Sequence, residues 1–237
     1  MAESASQPGR PVALLFDLNG TLFPADSAAA AFRQLRLPSS AVELWFSRVL
    51  RDGFAAQLAG TFLPFRHFAA YHLGCLLGSH PAAAKLSGEE AVQQVLAAWS
   101  SADLFPDAAA ALRAMHAAGL KLAVLTNGSA DGIARSVLQK AGIEGIFAAL
   151  LDINMAQAWK PARESYAFAC ERLGLRPEQV MMVASHPWDI QGALQVGLQA
   201  AYVQRDSSEP YGFPPECRQP QLVVRGFAEL AEALAAL

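Results

Sequence analysis

Asp17 closes the run "VALLF" and is followed within four residues by Asn19, Gly20 and Thr21. Five apolar residues leading into a carboxylate and then a glycine turn describe a buried strand that presents an acid at its C-terminal end. A carboxylate so placed can attack an electrophilic carbon or phosphorus and form an ester or acyl-phosphate that water later opens. Three more polar groups stand at or between strand-like ends: Thr126-Asn127-Gly128-Ser129 after "KLAVLT", Ser185 to Asp189 at the end of "VMMVAS", and Lys160 in a loop between them. Ser129 or Asp131 taken alone could simply cap the next helix. An acid, a hydroxyl-amide pair, a lysine and a second acid together describe a site. In it Lys160 would hold Asp17 ionised and stabilise substrate charge. Thr21 and Thr126 would orient carboxylate oxygens through their hydroxyls, and Asn127 would add an amide donor. Asp189 would pair with Lys160 or position the water. The alternative for this acid-lysine cluster is a buried ion pair without chemistry.

These groups meet only if the strand ends share one edge. Beyond "VALLF", "KLAVLT" and "VMMVAS", the runs "LQAAYV" and "QLVV" are also β-type. Helical patterns cover Asp107 to Ala118, Gly132 to Ala141 and Arg163 to Leu173, with apolar residues at intervals of three and four. Glycines in "AAGLK", "KAGIE" and "RLGL" stand where helices should stop. The alternation predicts an α/β fold, a parallel sheet with helices on both faces. From Ala25 to Ala102 the rhythm breaks into amphipathic helical stretches such as "AVELWFSRVLRDGFAAQLAG", punctuated by Pro38 and Pro64. A helical cap over residues 25–102, inserted after the first strand, is expected in preference to an inert packing subdomain, because ligands of open α/β sheets sit at the carboxyl ends of strands. The core would then comprise residues 11–24 and 103–237, behind a loose tail over residues 1–10. Trp45, Phe46, Phe54, Phe62, Phe65 and Phe68 would form the cap's own core, with a lining for a small substrate or a homodimer face as the alternatives. Residues 204–216 are expected to form a surface loop.

The composition excludes several function classes. At 237 residues, with 53% hydrophobic and 16% charged residues, the chain can bury a substantial core and is not disordered. A net charge of -3 without a dense Lys/Arg run argues against nucleic acid as a partner. Cys75, Cys170 and Cys217 are widely spaced and lack a CxxC pair, which predicts buried free thiols rather than a disulfide framework or zinc site. No apolar run reaches the length of a membrane span, and "MAESASQPGRP" lacks the apolar segment of a secretory signal. A cytoplasmic protein without a membrane partner is expected.

"DLNGT", "TNGS", "WKP" followed by Tyr166, and "ASHPWD" resemble, in order, the four motifs of the haloacid dehalogenase superfamily, and the set spans nearly the whole chain. The resemblance implies a Rossmann-like core and a nucleophilic aspartate at Asp17. Phosphatases of the family resemble D-x-D-G-T with a G-D-x-x-x-D fourth motif. Here Asn19 stands where their general acid would be, and Ala184-Ser185 where Gly-Asp would be. Both changes remove a carboxylate that would deliver a proton or hold magnesium. "SHPWD" and the Lys160-Pro161-Tyr166 spacing are instead similar to the 2-haloacid dehalogenases, whose halide leaves without a proton and whose carboxylate substrate needs no metal. That branch implies substrate contacts from Leu18, Asn19, Asn127, Phe46, Tyr166, Ser185, His186 and Trp188, a small-molecule carboxylate substrate, and no cofactor. The chain departs from that branch at three positions, with Phe46 in place of a halide-receiving arginine, Asn19 in place of tyrosine and His186 in place of asparagine. Arg48, two residues along the helix from Phe46, should point away from it. A magnesium-dependent phosphatase is the second expectation, and a catalytically altered binding or regulatory relative the third.

Overall fold

Ala13–Phe16 forms β1, and all four side chains are buried, as a strand covered on both faces requires. In the computed structural model, residues 9–205 and 211–237 are described. Most of the expected N-terminal tail (residues 1–8), and residues 206–210 of the expected loop, lie outside them. Six strands make one sheet in the order β3-β2-β1-β4-β5-β6, comprising β2 (Lys121–Thr126), β3 (Phe147–Asp152), β4 (Val180–Ala184), β5 (Gln199–Val203) and β6 (Leu222–Val224). Every pairing is parallel, with Leu15 in register with Ala123 on one side and Met182 on the other. Alternate residues feed two cores: Leu14, Phe16, Val124 and Val183 on one face, Leu15, Leu125, Met182 and Ala184 on the other. The strand order reverses between β1 and β4, the point at which doubly wound sheets open a crevice beyond their carboxyl ends.

Five of these strands coincide with the β-type runs of the sequence, and β3 does not. Its "FAALLD" lacks β-branched residues and carries two alanines, so propensity gave no sign of it. What makes it a strand is its position as the edge partner of β2, with Leu125 opposite Leu151 and Thr126 opposite Asp152.

Between β1 and β2 the described chain is helical: α1 (Ala29–Gln34), α2 (Ala41–Leu58), α3 (Phe65–Ser79), α4 (Gly88–Ser100) and α5 (Ala108–Ala117). Trp45 is fully buried where α1 to α4 converge. Its indole donates to Ala69 O at 3.0 Å, and its ring lies 5.4 Å from that of Trp99. Burying each tryptophan with its N–H satisfied gives this small layer both apolar area and a fixed geometry. Phe65 is buried with them, while Phe46, Phe54, Phe62 and Phe68 are only partly covered. Helix α2 is tied to the sheet's upper edge by Gln57, whose Oε1 accepts from Trp159 N at 2.9 Å, and the Trp159 indole donates to Leu63 O at 2.8 Å.

The remaining helices are α6 (Arg135–Lys140), α7 (Ile153–Ala156), α8 (Arg163–Leu173), α9 (Pro187–Gln195) and α10 (Phe227–Ala235). Gly119, Gly142 and Gly174 all have φ between +64° and +85°, the left-handed turn that closes a helix at little cost only in glycine. No helix among the described residues is long and apolar enough to cross a membrane. The three cysteines are free, but only Cys170 is buried, and Cys75 is exposed on α3. Because α3 is covered on one face only, a thiol on its outer face stays in solvent.

Candidate active site

Four strand ends converge beyond the β1–β4 junction. Asp17 follows β1 directly. Its Oδ1 accepts from Lys160 Nζ at 2.9 Å and its Oδ2 from the Thr21 hydroxyl at 2.8 Å. Lys160 Nζ also donates to Asp189 Oδ2 at 2.6 Å, and Asp189 Oδ1 accepts from Tyr166 Oη at 2.6 Å. Lys160, Tyr166 and Asp189 have no solvent exposure, and Asp17 has 4%. Two carboxylates on one buried ammonium leave the cluster with a net negative charge, which only close hydrogen bonds make tolerable.

The local backbone supplies those bonds. Asn127, at the end of β2, accepts Lys160 N–H at 2.9 Å and donates Nδ2 to Lys160 O at 3.1 Å. That pair aims the lysine at Asp17. Thr21 accepts Ser185 N–H at 3.0 Å while donating to Asp17, so one hydroxyl links the ends of β1 and β4. Ser129 caps the following turn by accepting Gly132 N–H at 2.9 Å, and Asp131 pairs with Arg135 at 3.0 Å. Both residues thus act as helix-end groups.

Burial tends to raise the Asp17 pKa, yet the charges of Lys160 and His186 and the hydrogen bonds from Lys160 and Thr21 outweigh it, so the carboxyl lies below its ordinary 3.8. Asp189 moves the other way: burial and the Asp17 charge raise it against the pull of Lys160. Burial alone would lower Lys160, but its two carboxylate partners hold it above its usual value. Tyr166 is pushed well up by burial and by Asp189, and stays a phenol that donates. One acid of the cluster is thus held ionised and the other is the more basic.

A narrow chamber of about 10 Å³ sits over Asp17, lined by Asn19, Thr126, Asn127 and Gly128 on one side and by Phe46, Leu50, Phe65, His186 and Trp188 on the other. His186 and Trp188 stack at 5.2 Å with planes 13° apart. His186 Nε2 donates to Asn19 O at 2.8 Å and lies 3.6 Å from Asp17 Oδ2. Asn19 Nδ2 and Ser185 Oγ are each buried without a partner among the described residues, and Asn19 is part of the chamber lining.

Several sequence expectations take a different form in this geometry. Tyr166 and Ser185 do not line the chamber: Tyr166 braces Asp189 from behind, and Ser185 reaches the site through its backbone N–H. Leu18 is fully buried in the hydrophobic core beneath. Thr126 Oγ1 accepts Gly128 N–H at 3.0 Å and shapes that turn, with no bond to Asp17. Asn127 spends its amide on Lys160 rather than on the Asp17 carboxylate. Arg48 does not line the chamber, as its helical angle predicts, and Arg51 is held by Asp52 at 2.6 Å.

Leu50, Asp152 and Gly192 gave no sequence signal of their own. Leu50 lies one helical turn after Phe46, and that i, i+4 spacing is the cue that could have found it. Asp152 Oδ2 accepts Ala130 N–H at 2.9 Å and Oδ1 accepts Asn154 N–H at 3.0 Å, joining the turns after β2 and β3. At Gly192, one turn past Asp189, a Cβ would lie 2.5 Å from Tyr166 Oη and 2.7 Å from Pro161 Cβ. Gly192→Ala is therefore expected to cost about 1–3 kcal/mol of stability by overpacking and to lower turnover by moving Tyr166 off Asp189. Thermal unfolding and kcat check it, and an unchanged melting temperature would contradict the close packing.

Comparison with known proteins agrees with this arrangement. A family model described as haloacid dehalogenase-like hydrolase matches residues 12–197. Haloacetate dehalogenase H-2 of Moraxella sp. (strain B) is 30% identical over 205 residues, 85% of this chain and 87% of that protein. The (S)-2-haloacid dehalogenase of Xanthobacter autotrophicus is 31% identical over 204 residues, 83% of this chain and 76% of that one. A solved structure of a dehalogenase with an intermediate complex superposes with a TM-score of 0.82 at 26% identity, covering 95% of this chain and 98% of that chain.

Proposed function

The chain belongs to the haloacid dehalogenase-like hydrolase family, and on that footing we propose that it converts a 2-halo acid to the 2-hydroxy acid through an ester on Asp17. The observation that carries the reading is the state of Asp17, a carboxylate held ionised by Lys160 and Thr21 beneath an aromatic wall. Asp17 attacks C2 of the acid, the C–O bond forms as the carbon–halogen bond breaks, and the halide leaves with the bonding pair. Water then adds to the Asp17 carboxyl carbon and gives one proton to the carboxylate cluster. The adduct collapses by breaking the bond to the alkyl oxygen, which takes the second proton as the hydroxy acid departs and Asp17 returns to a carboxylate. Of the buried donors at the site without a partner among the described residues, Asn19 Nδ2 and Ser185 Oγ, Asn19 belongs to the chamber lining and would meet the substrate. Helices α1 to α4 act as the cap that keeps water out while the ester forms.

The donor set does not fit a divalent cation. Lys160 Nζ stands between Asp17 and Asp189 at 2.9 and 2.6 Å, where a metal bridging the two carboxylates would have to stand. Both oxygens of Asp189 are already committed, to Lys160 and to Tyr166, and Asn19 and Ser185 offer no further charge. The reading therefore needs no metal and no other cofactor, and it takes a small carboxylate as the substrate.

A paired assay tests it. Chloride release from L-2-chloropropionate is expected to proceed unchanged in excess chelator, with no phosphate released from a phosphomonoester panel. Phosphate release that requires added magnesium would replace this reading with a phosphatase.

A further inference from the structure

The chamber over Asp17 has room for about one water at about 10 Å³, so even a two-carbon acid enters only if a wall moves. One wall has space behind it. Phe46, Leu50, His186 and Trp188 line the chamber and also line an open cleft of about 830 Å³ between α1, α2 and the loop before α9. Phe46, His186 and Trp188 are half-buried because their far sides face this cleft. The apolar crevice around Leu58 and Trp159 shares no residue with the chamber.

The cleft has an apolar inner wall and a polar mouth. Ala25, Ala29 and Val42 continue the surface of Leu50 and Trp188, and Asp26, Arg33, Ser39, Ser40, Glu43 and Ser47 form the exposed rim. Phe46 contacts Phe65 at 6.2 Å, Trp99 at 5.7 Å and His186 at 6.3 Å between ring centroids. Trp45 lies 6.4 Å from it on the helix side, and Phe46 is the partition between the two spaces because it lines both. Because Phe46 is only half-buried, turning its ring about χ1 gives up part of these contacts and leaves the fully buried Trp45 in place.

We infer that the cleft is the subsite for the substituent on C2, with Phe46 as the partition that turns aside, so that the protein takes 2-halo acids bearing a chain or ring of several carbons. The head group of that substrate rests on the dehalogenase reading, whereas the subsite itself is read by binding alone. Acids without a halogen have no leaving group and can be titrated against the whole protein by isothermal titration calorimetry, which does not depend on the tryptophan that the control variant adds. From acetate through butyrate to hexanoate the Kd is expected to fall about two- to fourfold per methylene, as burial of each CH₂ in a partly open cleft implies.

Ser47→Trp places a bulky ring in the cleft from an exposed position that the fold tolerates, and it should flatten that ladder at least tenfold between acetate and hexanoate. Equal Kd values for acetate and hexanoate in the unmodified protein, or a ladder that Ser47→Trp leaves intact, would overturn the subsite. Halide release from bromoacetate and 2-bromohexanoate is measured alongside. A binding ladder with no release from either acid keeps the subsite and removes the dehalogenase reading, and release with no ladder does the reverse.

Discussion

Asp17→Asn is expected to stop halide release, with kcat falling about 10⁴-fold or more, the scale on which loss of a nucleophile acts. The amide is nearly isosteric; its oxygen can still accept from Lys160 while its Nδ2 donates to the Thr21 hydroxyl, so circular dichroism should show the fold retained. What is lost is the lone pair of an ionised carboxylate, since an amide oxygen is too weak a nucleophile to displace halide from carbon. A labelling experiment separates this role from mere positioning. In a single turnover with excess unmodified enzyme in H₂¹⁸O, the first hydroxy acid should carry no label, because its new oxygen comes from Asp17. The label should appear in the Asp17 carboxyl group, one oxygen per turnover. Label in the product of the first turnover would mean that water attacks C2 directly, and the nucleophile assignment would fall even if Asp17→Asn were inactive.

The parts of this site that were legible in the sequence are those set by position along a strand. Asp17, Thr126-Asn127 and Ser185 each follow an apolar run, and in a parallel sheet all such ends lie on one edge, so their convergence follows from periodicity alone. Lys160 was legible as a cation in a loop between strand ends but not as the follower of a strand, because the strand before it, β3, is written in alanine and leucine and is made by pairing with β2. Directions within the site were not legible. Whether the Asn127 amide meets Asp17 or the Lys160 backbone, and whether Tyr166 faces the chamber or Asp189, depends on χ angles and on tight spots such as Gly192 that a string of letters does not record. The helical angle was more dependable: two residues from Phe46 separates Arg48 from the chamber, and four brings Leu50 into it.

Lys160→Met is expected to have the second large effect, on stability as well as on rate. Methionine fills similar volume but removes the one cation from between Asp17 and Asp189, and breaking a buried pair by removing one partner typically costs about 3–5 kcal/mol. The sign of the pH dependence tells this apart from a packing defect. In the unmodified protein the Asp17 pKa lies below 3.8, so its contribution to stability is present above that value and is lost as pH falls through the lower folded pKa. Asp189, raised in the fold, works in the opposite sense, since it favours folding when protonated and loses that contribution as pH climbs through its folded value. Without Lys160, burial and mutual repulsion are left to act on both carboxyls, and both then follow the Asp189 pattern. The melting-temperature gap between Lys160→Met and the unmodified protein should therefore be widest at neutral pH and should narrow as pH falls toward the carboxylate range. The acid limb of any residual activity should move upward, because Asp17 must now lose its proton against its neighbour's charge. A gap that stays constant with pH would assign Lys160 to packing and would remove the electrostatic account of why Asp17 is ionised.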